Sequence, residues 1–230
     1  MEIDQADYAL LNAVSLDEWQ VYLLSGGVGM ESVMNMPSHG LDEGELVTHF
    51  FELWRRGLVQ CSLESPWSPA DPNIELLREQ FNYAADHPPT GRVLAYRLSS
   101  AGGGLWETLA APDWSRFIRS SHGPSEGEWV LGGGNRRRVE LLRKCERLFP
   151  SPVPGTERWE DLRPWQATYW KSVAVGYELT FKCDPQSFGL GRRSIDTYGS
   201  IQKECEDLIE TWHDWCKSFE EVCNEYLKDA

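Results

Sequence analysis

The sequence lacks a long apolar run, and its first 134 residues contain no lysine. No stretch approaches the roughly 20 apolar residues that a membrane-spanning helix needs, so we expect no membrane partner. The opening segment MEIDQADYALLNAV is acidic, whereas a secretory signal begins with positive charge. Together these absences predict a soluble, cytoplasmic protein.

Motifs that carry chemistry are also missing. The six cysteines form no CxxC pair, and no cysteine or histidine stands at zinc-ligand spacing. A P-loop, a GxSxG nucleophile elbow and an HExxH motif are absent, so we expect no enzyme, no metal and no cofactor. In a reducing cytoplasm the cysteines should be free thiols, mostly in the core. His49 and His213 are interpreted as structural residues.

Negative charge is abundant and unevenly placed. The chain carries 22 Lys and Arg against 36 Asp and Glu, a formal charge of −14. Residues 1–134 hold seven arginines and 19 acids, and residues 135–230 hold 15 basic and 17 acidic residues. Such a surface repels phosphate backbones and attracts cations, which favours a basic protein partner and makes nucleic acid an unlikely one. The alternative is that the charge serves solubility alone.

Aromatic residues are plentiful, with 11 Trp, 8 Tyr and 8 Phe, and exclude a disordered chain. Several tryptophans stand in loops beside acids, as a binding site for a basic partner requires. The alternative is that these tryptophans pack between two halves of the chain. The candidate partner-binding residues are Glu64, Trp67, Asp71, Glu126, Glu128 and Trp129.

Hydrophobic periodicity predicts an α+β protein of two domains, residues 1–124 and 125–230. In the first, apolar segments cover Tyr8–Val14 and Leu16–Leu24, the second opened by a capping-box pattern at Ser15 and Glu18. Two clear helices, Leu41–Arg56 and Ile74–Ala85, and two strands, 58–65 and 92–99, follow. In the second domain we expect a helix over 135–149, a short antiparallel sheet over 163–183 and a long helix over Ser200–Lys228, which offers a possible homodimer seam.

Two phrases in the first domain carry a family resemblance. WRRGLV at Trp54–Val59 joins a helix to a strand, and YRLSSAG at Tyr96–Gly102 joins a strand to a helix. This order resembles the winged-helix family over roughly residues 8–118. The resemblance implies that Leu41–Arg56 is a recognition helix, and the alternative function is a DNA-binding transcriptional regulator. Its phosphate contacts would be Arg55, Arg56 and Arg92.

The sequence departs from that family in two ways. The helix Ile74–Ala85 stands between the wing strands, where DNA-binding relatives have a short basic hairpin. The presumed recognition helix also carries several acids, Asp42, Glu43, Glu45 and Glu52. Duplex binding commonly needs about 6–10 phosphate contacts, and a domain with seven scattered arginines among 19 acids is poorly suited to it. We therefore predict a winged-helix-like domain that serves protein binding.

Composition gives a second resemblance. Acidic, tryptophan-rich, intracellular chains without catalytic motifs are similar to the immunity proteins with which bacteria neutralise toxic nucleases. That resemblance implies a non-catalytic protein that occludes the cationic active site of a basic toxin.

Glycine and arginine clusters leave one further question. Gly26-Gly27 with Gly29, Gly102–Gly104 and Gly132–Gly134 each invite a phosphate-binding interpretation, although none matches GxGxxG. The last precedes Arg136–Arg138, whose positive charge lies at the unfavourable end of a helix dipole. We expect either a bound anion or an acidic side chain of the same chain to compensate the charge of Arg136–Arg138. We predict an acid from the first half of the sequence.

Overall fold

The computed structural model describes residues 3–25, 30–31, 36, 38–63, 67–83, 92–144 and 152–183. It has helices and antiparallel sheets, and this confirms the α+β class. The chain forms two compact units. The first holds the described residues as far as Ala111 together with Thr168–Trp170, and the second holds Pro112–Ala167 and the described residues from Lys171. The units thus change at Ala111, whereas the sequence-based division is at residue 124.

In its described part, the first unit contains a four-stranded antiparallel sheet and four helices of eight or more residues. Its helices are α1 (Gln5–Ala13), α2 (Glu43–Arg55), α3 (Ile74–Phe81) and α4 (Ser100–Ala110). Its strands are β1 (Trp19–Gln20), β2 (Val59–Ser62), β3 (Pro69–Ala70) and β4 (Ala95–Leu98), in the order β1-β4-β2-β3. The predicted helix Ile74–Ala85 is therefore present as α3, between β2 and β4, and residues 84–85 lie outside the described part.

Local signals explain why α2 forms where it does. The Asp42 carboxylate accepts the Glu45 backbone N–H at 2.9 Å, and the Glu45 carboxylate accepts the Asp42 N–H at 3.1 Å, a complete capping box. The buried side chains Leu46, Phe50 and Leu53 recur at helical spacing. Gly57, at φ +70°, ends the helix as predicted.

The prediction that a second helix begins at Ser15 with a capping box and covers Leu16–Leu24 is wrong. Trp19 pairs with Tyr96 as part of β1, and Val21–Leu24 forms a 3-10 turn. The Ser15 hydroxyl donates to the Asn12 carbonyl at 2.8 Å, so it completes the end of α1 rather than starting a new helix. The long-range pairing of β1 with β4 therefore determines the structure of this segment, and the local capping pattern does not.

Aromatic rings and a thiol fill the core of the first unit. Phe50 packs edge-on against Tyr96, with ring centroids 5.0 Å apart, and against Phe81 at 6.0 Å. Cys61 is buried beside them, and burial, with the nearby charge of Asp71 adding to it, raises the pKa of its thiol to about 12. Cys61 and Cys183 are free, as predicted, and the other four cysteines lie outside the described residues.

In the described part of the second unit, one helix packs on a four-stranded antiparallel sheet. The strands of this sheet are β5 (Ile118–His122), β6 (Glu128–Gly133), β7 (Arg158–Leu162) and β10 (Gly176–Lys182), and β8 (Trp165–Gln166) and β9 (Ser172–Val173) form a small separate hairpin. The sheet order is β5-β6-β10-β7, and the core includes Leu131, Val139, Leu142, Leu179 and Phe181. Helix α5 covers Arg136–Lys144.

Two predictions for this half meet different outcomes. The sheet is larger than predicted, because β7 at Arg158–Leu162 lies before the predicted range 163–183 and because β5 and β6 form a hairpin around residue 124. The predicted helix Ser200–Lys228, and with it the homodimer seam, lies outside the described residues.

Across the described ranges, no helix is long and apolar enough to cross a membrane.

Close packing accounts for two of the glycine clusters. A Cβ on Gly102 would lie 1.9 Å from the Leu58 carbonyl oxygen, and one on Gly103 would lie 2.3 Å from the Trp170 ring. These glycines stand in the first turn of α4, not in the turn before it. In the second unit, Cβ atoms on the Gly132–Gly134 segment would meet the Trp165 ring, Val139 and the Trp114 carbonyl. The cluster at residues 26–29 lies outside the described part.

Gly103 and Gly104 provide a matched test of this packing. Gly103→Ala should destabilise the protein by about 1–3 kcal/mol, because the methyl group must displace the Trp170 ring. Gly104→Ala places a methyl group in open space on the same helix and should stabilise by about 0.5–1 kcal/mol. Urea denaturation followed by tryptophan fluorescence measures both. Equal effects of the two substitutions would contradict the packing explanation.

Candidate functional site

The exposed face of α2 is acidic where a recognition helix would meet DNA. Glu43, Glu45 and Thr48 are exposed there. Arg55, at the end of the helix, donates to Glu52 through Nε at 3.1 Å and Nη2 at 2.7 Å. Two of the three predicted phosphate contacts pair with acids of the same unit, Arg55 with Glu52 and Arg56 with Asp7. The third, Arg92, is exposed and forms no ion pair with any described residue.

Asp7 on α1 holds both Arg56 and His49. The Arg56 Nη1 lies 3.6 Å from one Asp7 oxygen, and the His49 Nδ1 lies 3.0 Å from the other. Asp4, whose Oδ1 caps α1 by accepting the Asp7 N–H, has its second oxygen 3.8 Å from the same imidazole nitrogen. Two carboxylates and an imidazole lie close enough to share a cation. The guanidinium of Arg56 already provides a positive charge next to Asp7, so these residues need no bound cation to join α1 to α2.

Trp67, a predicted partner-binding residue, lies over a cation of its own unit. The Arg97 guanidinium carbon is 4.0 Å from the Trp67 ring centroid and 5.9 Å from that of Tyr169. Arg97 stands on β4 opposite Gln60 and donates to it weakly at 3.4 Å. The Tyr169 hydroxyl donates to the Val14 carbonyl and accepts the Leu98 N–H, both at 2.6 Å, so this ring is fixed.

For the Trp67 ring, in contrast, the favourable contact with Arg97 and the cost of an unsatisfied N–H are of similar size. Its indole N–H is buried and meets no acceptor in the described part of the chain. An unsatisfied buried donor costs ~1–3 kcal/mol, and a cation–π contact at a partly exposed site contributes ~0.5–2 kcal/mol. The stacked position therefore gains little over one in which the indole reaches water.

Acidic side chains continue from Trp67 into α3. Asp71 is exposed after β3, and Glu75 and Glu79 are exposed on the same face of the helix, four residues apart. None of the three forms an ion pair with a described residue. We name Trp67, Asp71, Glu75 and Glu79 the β3–α3 surface.

The three predicted partner residues of the second unit lie at the β5–β6 hairpin. Glu126 is exposed in its turn. Glu128, which begins β6, is buried and paired with Arg158 at 3.0 Å. Hydrogen bonds from Arg158 and Ser125 hold the pKa of the Glu128 carboxyl below its ordinary value. Trp129 is half-buried, packs against the core and lies 4.6 Å from the His122 ring.

Arg136 and Arg138, two arginines of the Arg136–Arg138 cluster, have partners within the second unit. Arg136 lies 3.5 Å from Glu140 and 3.8 Å from Asp161, and it stacks on Trp159 at 4.6 Å. Arg138 donates through Nε to the Arg116 carbonyl at 3.0 Å. Burial lowers the pKa of Arg138, and the charge of Arg116 adds to that effect. For Arg136, the expected acid from the first half of the sequence is therefore wrong, because Glu140 is one helical turn away and Asp161 stands on β7.

The structure gathers the predicted partner residues into two separate groups. Trp67 and Asp71 flank β3 in the first unit, whereas Glu126, Glu128 and Trp129 belong to the hairpin of the second. Glu64 lies outside the described residues. Sequence reasoning missed Arg97, Tyr169 and the pair Glu75 and Glu79. The alternation of apolar and polar residues in 92–99 was the available signal for Arg97, since it places that side chain on the face opposite Tyr96.

No family model, no curated protein and no solved structure matches the chain. The winged-helix and immunity-protein resemblances consequently rest on the sequence phrases and the composition that suggested them. Any function therefore has to be argued from the geometry of the described residues.

Removal of the Asp7 charge tests the contact between α1 and α2. Asp7→Asn should lower the free energy of unfolding by about 1.5–3 kcal/mol, because His49 loses a charged hydrogen-bond partner and Arg56 loses the carboxylate of its ion pair. Asp17→Asn is the matched control, since Asp17 is exposed and forms no ion pair with a described residue. It should change stability by less than about 0.5 kcal/mol. Urea denaturation at neutral pH measures both, and an equally small effect for the two would refute the role given to Asp7.

The lowered pKa of Glu128 predicts how stability depends on pH. A carboxyl with a folded-state pKa below its unfolded value stabilises the fold above the unfolded pKa, near 4.3, and loses that contribution as pH falls through the folded pKa. Glu128→Gln should therefore lower the thermal midpoint at pH 7, and its difference from the wild type should vanish in acid. Glu126→Gln, in the same turn but exposed, should have little effect at either pH. A Glu128→Gln difference that stayed constant from pH 7 into acid would be inconsistent with the ion pair.

Proposed function

We propose that the protein is a non-catalytic cytoplasmic module that binds a basic protein partner, in the manner of bacterial immunity proteins. The observation that carries this proposal is how the first unit uses its arginines. Of the five in its described part, Arg55 and Arg56 are ion-paired and Arg97 stacks on the Trp67 ring. Only Arg78 and Arg92 remain exposed without such a partner.

The exposed charge left over is negative. The β3–α3 surface carries Asp71, Glu75 and Glu79, which are exposed and form no ion pair in the described part, in the segment that follows Trp67. Negative charge of this kind accelerates encounter with a cationic protein, and an aromatic anchor then holds the complex. A toxic nuclease, which needs positive charge to hold its substrate, is the class of partner that such a surface would occlude.

A winged-helix-like scaffold is part of the proposal. Helix α2 runs through Arg-Arg-Gly into β2, β2 pairs antiparallel with β4, and β4 leads directly into α4. This order supports the resemblance found in the two sequence phrases. Strand β3 and helix α3 stand where a short basic wing would be, so the insertion supplies acids at the position where DNA-binding relatives have cations.

The same order of elements favours DNA binding as the second candidate function. A winged-helix regulator would place α2 in the major groove, with Arg55, Arg56 and Arg92 on phosphates. Two of these arginines would first have to leave Glu52 and Asp7. Even then the described part of the unit would offer five cations, fewer than the about 6–10 contacts that support typical duplex binding.

Fluorescence anisotropy with two labelled probes separates the candidates. A nona-arginine peptide should bind the full chain, and a mixed-sequence duplex should not bind even at low salt. Glu75→Gln with Glu79→Gln should weaken peptide binding by about threefold or more, the effect of two rim charges, whereas the control pair Glu31→Gln with Glu43→Gln should weaken it less. Tight, salt-sensitive duplex binding would establish the regulator instead. Equal losses for the two pairs would show that the peptide senses net charge alone and would exclude the β3–α3 surface.

A further inference from the structure

Arg97 has the surroundings of a bound ligand. Its guanidinium lies 4.0 Å from the Trp67 ring centroid and 5.9 Å from that of Tyr169, the arrangement in which aromatic faces hold a cation. It has no carboxylate partner in the described part of the chain, and its one polar contact is a weak bond to Gln60 at 3.4 Å. Arg55 and Arg56, in the same unit, both have carboxylate partners. Aromatic stacking is therefore the main interaction of Arg97.

The two rings differ in how firmly they are held. Tyr169 is fixed by two hydrogen bonds through its hydroxyl. Trp67 belongs to the short connection between β2 and β3, and its buried N–H finds no acceptor in the described part. Tyr169 can thus serve as a fixed wall of the site, and the Trp67 ring can leave Arg97 and regain a hydrogen bond in doing so.

Acidic charge surrounds this pair of rings. Asp71 is exposed two residues before Asn73, the residue that caps α3, and its charge acts on Cys61 of β2. Asp17 and Glu18 are exposed, and their charges act on the Tyr169 hydroxyl, whose pKa burial raises well above its ordinary value. A guanidinium that took the place of Arg97 would therefore lie against the same two rings, with the charges of Asp17 and Glu18 acting at Tyr169.

We propose that Trp67 and Tyr169 form a guanidinium-binding site, that Arg97 is its internal occupant, and that an arginine of the basic partner displaces Arg97. The inference rests on the proposed function, because it assigns to that function the side chain that the partner inserts. Arginine is favoured over lysine since its planar group stacks on aromatic rings, whereas an ammonium is a compact and strongly hydrated charge. Arg97 consequently competes with the partner, and its removal should expose the site.

The test compares Arg97→Ala with Arg92→Ala in the full chain. Both substitutions remove one positive charge from the first unit, but only Arg97 stacks on Trp67. Arg97→Ala should tighten binding of a labelled nona-arginine peptide by about two- to fivefold more than Arg92→Ala does, the factor expected for one exposed cation–π contact. With nona-lysine the two variants should behave alike. Addition of Trp67→Ala to Arg97→Ala should abolish the extra gain.

Several results would overturn the proposal. Equal tightening by Arg97→Ala and Arg92→Ala would mean that the peptide senses charge only, and weaker binding by Arg97→Ala would mean that Arg97 supports the surface. If the wild type binds neither peptide, the proposed function fails; the guanidinium site fails as well only if Arg97→Ala also leaves nona-arginine unbound.

A measurement on the wild type avoids dependence on variant folding. The protein is labelled with 5-fluorotryptophan, and the Trp67 resonance is assigned from the spectrum of Trp67→Phe. Nona-arginine should shift that resonance as the ring changes its cation, and nona-lysine of the same charge should shift it less. Equal shifts with the two peptides, or no shift with either, would contradict displacement of Arg97.

Discussion

The carboxylate of Asp7 is the interaction on which the surface chemistry of the first unit depends. It joins α1 to α2 by holding His49 and Arg56 at once, and it does so from a buried position. This arrangement gives Arg56 an acidic partner within the same unit. Glu52 does the same for Arg55 one turn along the helix. The Arg-Arg pair that suggests DNA contacts in the sequence is thereby occupied within the fold.

The glycine runs of this chain also allow two interpretations from sequence, phosphate binding and close packing. Runs of three glycines often mark places where a backbone approaches a phosphate, and the sequence alone leaves that possibility open. In the structure Gly102 and Gly103 let α4 approach the Leu58 backbone and the Trp170 ring, and Gly134 lets its backbone approach the Trp114 carbonyl. The space that a ligand would need is filled by the protein itself, so packing is a sufficient reason for these residues.

Sequence reasoning succeeded where the deciding contacts are local. Helix α2 was predictable because its capping box, apolar stripe and terminal glycine all lie within sixteen residues of sequence, from Asp42 to Gly57. It failed for Leu16–Leu24, because pairing with β4 depends on residues near position 95. The site residues follow the same rule. The exposure of Asp71 followed from its turn, whereas the burial of Glu128 depends on Arg158, 30 residues later, and the stacking of Trp67 depends on Arg97.

A scaffold of helices and a small sheet leaves function to what its surfaces present. In the first unit, β3 and α3 occupy the connection between β2 and β4, and the acids Asp71, Glu75 and Glu79 are exposed there. Arg97, on β4, lies against the Trp67 ring, whose buried N–H meets no acceptor in the described part of the chain. An aromatic face that already accepts one guanidinium, within a negative field, has the chemistry to accept another. The proposed basic partner would therefore need at least one accessible arginine, and positive charge alone would not suffice for it to bind at Trp67.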